Sequence, residues 1–199
     1  ALFTLAATAI AHLDFSDAMQ VLMLQKNLAI TGGLLLLALV GAGALSVPLA
    51  RAHRAVRPIR KTLFWNRTRS GALAAAEKLR QYGFEAEAIA DLDAGLRQAD
   101  VISSATLSTT PLVRGNLVRP GTHIDLVGAY NAQMRESDDT AMLRSRIYVD
   151  TYAGALKEGG DIVQPITDGI ISAGDIVGEM AELVKGDVHG RRTSDEITL

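Results

Sequence analysis

Between residues 34 and 68 the chain is built in blocks. An apolar run (34–40) leads into Gly41-Ala42-Gly43. A stretch with apolar positions at helical spacing follows, and a second apolar run closes on Asn66-Arg67-Thr68. The blocks predict a strand at 36–40, a tight turn, a helix from Ser46 and a second strand. A strand buried in a parallel sheet is apolar on both faces, so residues 36–40 need not alternate. Pro48 suits a first helical turn, where no N–H has a partner. Leu45, Leu49, Ala52, His53 and Val56 then share a face, and Arg57-Pro58 closes the helix.

The same alternation continues. Residues 70–82 predict a helix capped by Ser70, with Leu73, Ala76, Leu79 and Tyr82 on one face, stopped at Gly83. Residues 84–89 alternate as a strand. Residues 91–98 form a helix capped by Asp91. A strand at 101–105 runs into the polar loop 106–110, and a strand from Gly121 to Val127 runs into Gly128-Ala129. Residues 136–143 predict a short helix, 146–150 a strand and 153–158 one helical turn stopped by Gly159-Gly160. Residues 175–185 predict the last helix, acidic at its start and basic at its end. Strands alternating with helices define an α/β chain with a doubly wound parallel sheet. The expected division is an apolar helical segment (1–35), the sheet domain (36–185) and a loose polar tail (186–199).

Composition adds a competing view of the amino-terminal part. The chain has 199 residues, 48% of them hydrophobic, and a formal net charge of -2, so no basic excess points to nucleic acid. It has no cysteine, which excludes disulfides, thiolate metal sites and cysteine nucleophiles. Asp14, Asp17 and Lys26 are the only charged residues before position 51. Residues 28–50 carry no charge and are long enough to span a membrane, with Arg51, Arg54, Arg57, Arg60 and Lys61 following them. That flank would leave the carboxyl-terminal part in the cytoplasm. One stretch cannot be both a continuous membrane helix and a strand-turn at 36–46.

The candidate chemistry is anion binding. Gly41 and Gly43 let the backbone turn and approach a pyrophosphate with no Cβ in the way, and the helix at Ser46 aims free N–H groups at it. The pattern is G-x-G-x-x-S, with Ser46 where a third glycine often stands, and Gly-Ala-Gly in an apolar run also suits a helix-packing patch. An acidic residue after the second strand would favour NAD(H). Asn66-Arg67-Thr68 offers a guanidinium and a hydroxyl instead, which suit a 2′-phosphate and favour NADP(H). His12, His53, His123 and His189 lack metal-ligand spacing, and His53 reads as a helix-face residue. Glu136, Asp138 and Asp139 form no recognisable pair and read as a solvated acidic face. Ser103-Ser104 has no nearby base in sequence.

Two resemblances extend this reading. HLDFSD and LQKNLAITGGLLLLALVGAGALS, within the first 46 residues, resemble the last membrane helix of the DoxX family of small bacterial membrane proteins. From Gly41 onward, GAGALSVPLARAHRAVRPIRKTLFWNRT, ADVISSATLSTTPLV, GTHIDLVGAYNAQMRESDD, RIYVDTYAGALKEGGDIVQP and GRRTSDEITL resemble the ornithine cyclodeaminase/μ-crystallin family, nearest its Δ1-pyrroline-2-carboxylate reductases. That resemblance implies a Rossmann-type domain binding NAD(P)H in an enzyme that reduces cyclic imino acids. It implies cofactor contacts at Gly41, Gly43, Ala44 and Leu45 (phosphate turn) and at Asn66, Arg67 and Thr68 (ribose-phosphate end). It also implies them at Ala105, Thr106 and Leu107 (adenosine loop) and at Val127, Gly128 and Ala129 (nicotinamide turn). Tyr130 stands where the cyclodeaminase branch carries Asp, which speaks against ornithine deamination. The family's substrate-binding Lys and Arg lie in an amino-terminal domain with no counterpart here. That domain also carries most of the dimer surface, so the expectation is an incomplete reductase. The alternatives are a dinucleotide-binding module without turnover and a membrane-anchored DoxX-like chimera.

Overall fold

The computed structural model describes residues 46–56 and 58–199. The expected strand at 36–40, the Gly41-Ala42-Gly43 turn and the apolar segment 1–35 lie outside the described residues. Among those residues no helix is long and apolar enough to cross a membrane.

The first described element is helix α1 (Ser46–Val56), starting and ending where the sequence predicts. Strand β1 (Lys61–Phe64), helix α2 (Arg69–Arg80) and strand β2 (Glu85–Ala88) follow, then α3 (Leu92–Gln98), β3 (Val101–Ser104) and β4 (His123–Leu126). The last third holds α4 (Asp139–Arg144), β5 (Ser145–Val149), α5 (Tyr152–Ala155), α6 (Gly160–Thr167), β6 (Ile176–Glu179), α7 (Met180–Lys185) and β7 (Ile197–Thr198). Every strand pairing is parallel. β1 pairs with β2, and a five-stranded sheet has the order β3-β4-β7-β5-β6. The facing edges of β1 and β3 have no partner strand among the described residues. α1 ties the two sheets together. Val47 packs into the cluster of Phe64, Ala72, Ala76, Leu79 and Ala86, while His53 hydrogen-bonds Asp125 on β4. Two further clusters fill the large sheet's faces, one around Ile102, Ile124 and Ile197, the other around Met142, Ile147 and Ile176.

Helix caps decide several boundaries. Asp91 caps α3 as predicted, accepting from the Ala94 N–H at 3.1 Å. In α2 the cap is Thr68, not Ser70. Thr68 is extended (φ -106°, ψ 130°) and its hydroxyl accepts the Gly71 N–H, so the helix starts earlier. The buried stripe is Ala72, Ala76 and Leu79, while Leu73 and Tyr82 are exposed, Tyr82 under the Arg51 guanidinium. In α1 the inner positions are Val47 and Ala50, and Ala52 faces outward. Gly83 does stop the chain after α2, in the left-handed conformation (φ 77°) that glycine tolerates.

Four expectations for the last third are corrected. The helix predicted at 136–143 begins at Asp139, because Asp138 caps it through the Ala141 N–H and Glu136 is drawn into the interior. The sequence pattern predicts no helix at α6, since Gly159 and Gly160 stand at its start and Pro165 lies inside it. It forms because Ile162 and Pro165 are buried by the rest of the domain. The expected helix 175–185 is a turn ending at Asp175, then strand β6, and only then helix α7. Residues 186–199 are not loose throughout: Ile197 and Thr198 form β7, buried between β4 and β5.

Candidate cofactor site

β3 and β4 run parallel, with Ser103 opposite Asp125 and Ser104 opposite Leu126. Both therefore release their chains on the same side of the sheet, into 105–110 and 127–135. Ligands bind at such carboxyl ends in open α/β sheets. The two loops touch. A Cβ built on Gly128 would lie 1.9 Å from the Thr106 carbonyl oxygen and 2.5 Å from its nitrogen, so only glycine lets the backbones meet.

What holds the loops together is Glu136, which has no exposed surface. Its Oε1 accepts from the Ser104 hydroxyl at 2.7 Å, the Thr106 N–H at 2.6 Å and the Thr106 hydroxyl at 2.7 Å. Its Oε2 accepts from the Gly128 N–H at 2.6 Å. Glu136 is placed in turn by Asp161 from the first turn of α6. The Asp161 carboxylate accepts from the backbone N–H of Glu136 (3.0 Å) and Ser137 (2.8 Å) and from the Ser137 hydroxyl (2.8 Å). Burial raises the Asp161 pKa above the ordinary carboxylate value. The hydrogen bonds from Ser137 and Glu136 oppose that shift, and the nearby Glu136 charge adds to it. Gly160 lets α6 lie directly on the loop, where a Cβ would meet the Met134 carbonyl at 1.9 Å, and Gln164 donates to the Ala132 carbonyl at 2.8 Å.

The expected solvated acidic face therefore does not exist as such. Glu136 is interior. Asp138 is a helix cap that also accepts the Gly115 N–H at 2.8 Å, and Asp139 pairs with Arg135. The sequence carried no signal that Glu136 and Asp161 are interior, since an acid within Arg-Glu-Ser-Asp-Asp and one after Gly-Gly look the same on a surface.

The predicted site residues divide into groups. Gly41, Gly43, Ala44 and Leu45 lie outside the described residues. Thr106 and Gly128 are brought together through Glu136, with Ala105, Leu107, Val127 and Ala129 beside them. Leu107 (54% exposed), Val127 (47%) and Tyr130 (63%) form an open apolar margin there. Asn66, Arg67 and Thr68 follow β1. The Asn66 amide oxygen accepts the Thr68 N–H at 3.3 Å, and the Thr68 hydroxyl serves as the helix cap. Arg67 is exposed and has no partner among the described residues.

The other polar clusters among the described residues are bonded internally. His53 Nε2 and the Ser103 hydroxyl both bond the same Asp125 oxygen at 3.0 Å, so the His and Ser meet the carboxylate and not each other. His123, whose pKa burial lowers, bonds the Thr198 hydroxyl at 2.9 Å. Among the described residues no group of His, Cys, Asp and Glu could hold a metal ion.

A parallel sheet with glycine-bearing, polar loops clamped at the carboxyl ends of adjacent strands defines a Rossmann-like class of domain. The family model described as ornithine cyclodeaminase/mu-crystallin matches residues 25–199, so the chain belongs to that family. The match starts ahead of Gly41 and includes the whole uncharged run 28–50, most of which lies in the stretch likened to DoxX.

A Delta(1)-pyrroline-2-carboxylate reductase of Paracoccus denitrificans is 40% identical over 164 residues, covering 82% of this chain and 52% of its own. The Δ1-pyrroline-2-carboxylate reductase of Thermococcus litoralis, solved with NADH and L-proline, superposes with a TM-score of 0.77 at 34% identity, over 79% of this chain and 49% of that one. The iminosuccinate reductase of Paracoccus denitrificans, solved with NAD+, gives 0.68 at 32% identity, over 79% and 48%. The chain spans about half the length of these relatives.

Proposed function

We propose that this chain is the dinucleotide-binding half of a reductase acting on a small cyclic imino acid of the Δ1-pyrroline-2-carboxylate kind. The observation that carries the reading is the Glu136 clamp, which joins the Thr106 loop to the Gly128 turn at adjoining strand ends. The residues fit a dinucleotide. The main chain on either side of Thr106 suits a ribose laid along it, the Thr106 N–H and hydroxyl being committed to Glu136. The apolar margin of Leu107, Val127 and Tyr130 suits a flat ring, and Arg67, exposed and without a partner among the described residues, suits an extra phosphate. A bound nicotinamide supplies a hydride from C4 to the carbon of a C=N bond. The chain's own part is to hold the two loops at a fixed separation and exclude water along the apolar margin. Arg67 favours NADPH over NADH, although the solved relatives above carry NADH and NAD+.

A second reading is a dinucleotide-binding module without turnover, since the Glu136 carboxylate is fully buried and orders two loops without presenting a reactive group to solvent. Titration with NADPH and NADH, followed through half-buried Trp65 beside Asn66-Arg67, tests the binding reading. Saturable quenching with tighter NADPH binding supports it, and no response to either nucleotide overturns it. NADPH oxidation with a cyclic ketimine then separates reductase from binding module.

A further inference from the structure

We infer that Glu136 is a positioning residue for the dinucleotide: it sets the spacing between the loop after β3 and the turn after β4, so that one ligand can touch both. The inference deepens the cofactor reading above and rests on it.

Three features of the site carry it. The Glu136 carboxylate is shared out by oxygen, with Oε1 serving the Ser104–Thr106 side and Oε2 serving the Gly128 side. Two of the four donors are backbone N–H groups, so the bonds fix main chain and not only side chains. The residue lies in the β4–α4 connection, beyond the Gly128 turn, and Asp161 of α6 anchors it there through the Glu136 and Ser137 amides. Because Asp161 on α6 fixes Glu136 from outside both loops, the clamp sets their separation, whereas a bond between the loops alone would leave the pair free to move together. A carboxylate is needed because both of its oxygens accept. The amide of Glu136→Gln has one accepting end. In either orientation an NH2 group faces a backbone N–H, that of Gly128 or that of Thr106, and one loop loses its tie.

The same logic separates a positioning role from general support. A ligand bridging both loops reads their spacing, and a fragment held by one loop does not. The experiment measures the affinity of wild type and Glu136→Gln for NADPH and for 2′,5′-ADP, together with amide hydrogen exchange at Thr106 and Gly128 without ligand. The expected result is a loss of about tenfold for NADPH, a loss under about threefold for 2′,5′-ADP and faster exchange at one of the two amides. Glu136→Asp, which keeps two accepting oxygens, regains part of the NADPH affinity.

Equal losses for NADPH and the fragment, or unchanged NADPH binding, overturn the inference while leaving the cofactor reading intact. Wild type that binds neither nucleotide overturns the cofactor reading itself. If Glu136→Gln does not fold, Ser104→Ala, which removes one donor from Oε1, gives the same comparison. A loss larger for NADPH than for 2′,5′-ADP supports the inference, and equal losses overturn it.

Discussion

Ile197→Ala tests whether the end of the chain is structural. Ile197 is 5% exposed and packs with Leu96, Ile102, Val113, Val118 and Ile124. β7, to which it belongs, lies between β4 and β5, so its contacts lie at the middle of the larger sheet. Removing the carbons beyond Cβ costs about 2.4 kcal/mol at about 0.8 kcal/mol per methylene. The cavity cannot collapse fully among β-branched neighbours, which brings the total to about 3 kcal/mol. With a urea slope of about 2 kcal/mol/M, the unfolding midpoint falls by about 1.5 M with the slope unchanged. Val184→Ala, at a side chain 82% exposed, is the control and stays within about 0.5 kcal/mol of wild type. Urea unfolding followed by circular dichroism gives both numbers. If Ile197→Ala moved no further than the control, residues 186–199 would be the loose tail their composition suggests and the central position of β7 would be wrong.

Asp138→Ala removes both the cap of α4 and the acceptor for the Gly115 N–H, and should cost about 2 kcal/mol in the same urea assay, against under 1 kcal/mol for an ordinary exposed cap. Burial holds the His123 pKa below its ordinary value, so the unfolded chain takes up that proton first as pH falls. The His123 contribution is therefore intact above about pH 6.5 and lost as pH drops through the lower folded pKa. His123→Gln should flatten the fall in stability as pH drops below about 6.5, and an unchanged slope would show that another group governs it. Arg67→Ala should weaken NADPH about tenfold and NADH less than twofold in the Trp65 titration, since the exposed guanidinium has no other partner among the described residues. Equal effects on the two nucleotides would remove the 2′-phosphate role.

From α1 to α5 the order of strands and helices was legible because hydrophobic period and turn residues are local. Asp91 announces a helix start, Gly83 a stop, and the runs before Asn66, Thr106 and Gly128 announce strands. The loops at those strand ends could be named as candidate ligand segments for the same reason. Only tertiary structure decided which faces pack. Ala52 and Leu73 turn outward and Val47 and Ala72 inward because neighbouring elements fix each helix's rotation.

Tertiary structure also decided the fate of polar groups whose partners are distant in sequence. Glu136 reads as solvated, yet it is interior because Ser104, Thr106 and Gly128 offset the cost of burying it. Ile197-Thr198 is too short to read as a strand. It becomes one because β4 and β5 leave a slot whose backbone groups need partners. Composition along the chain records local preference, and burial of charge and closure of a sheet depend on contacts that no local pattern contains.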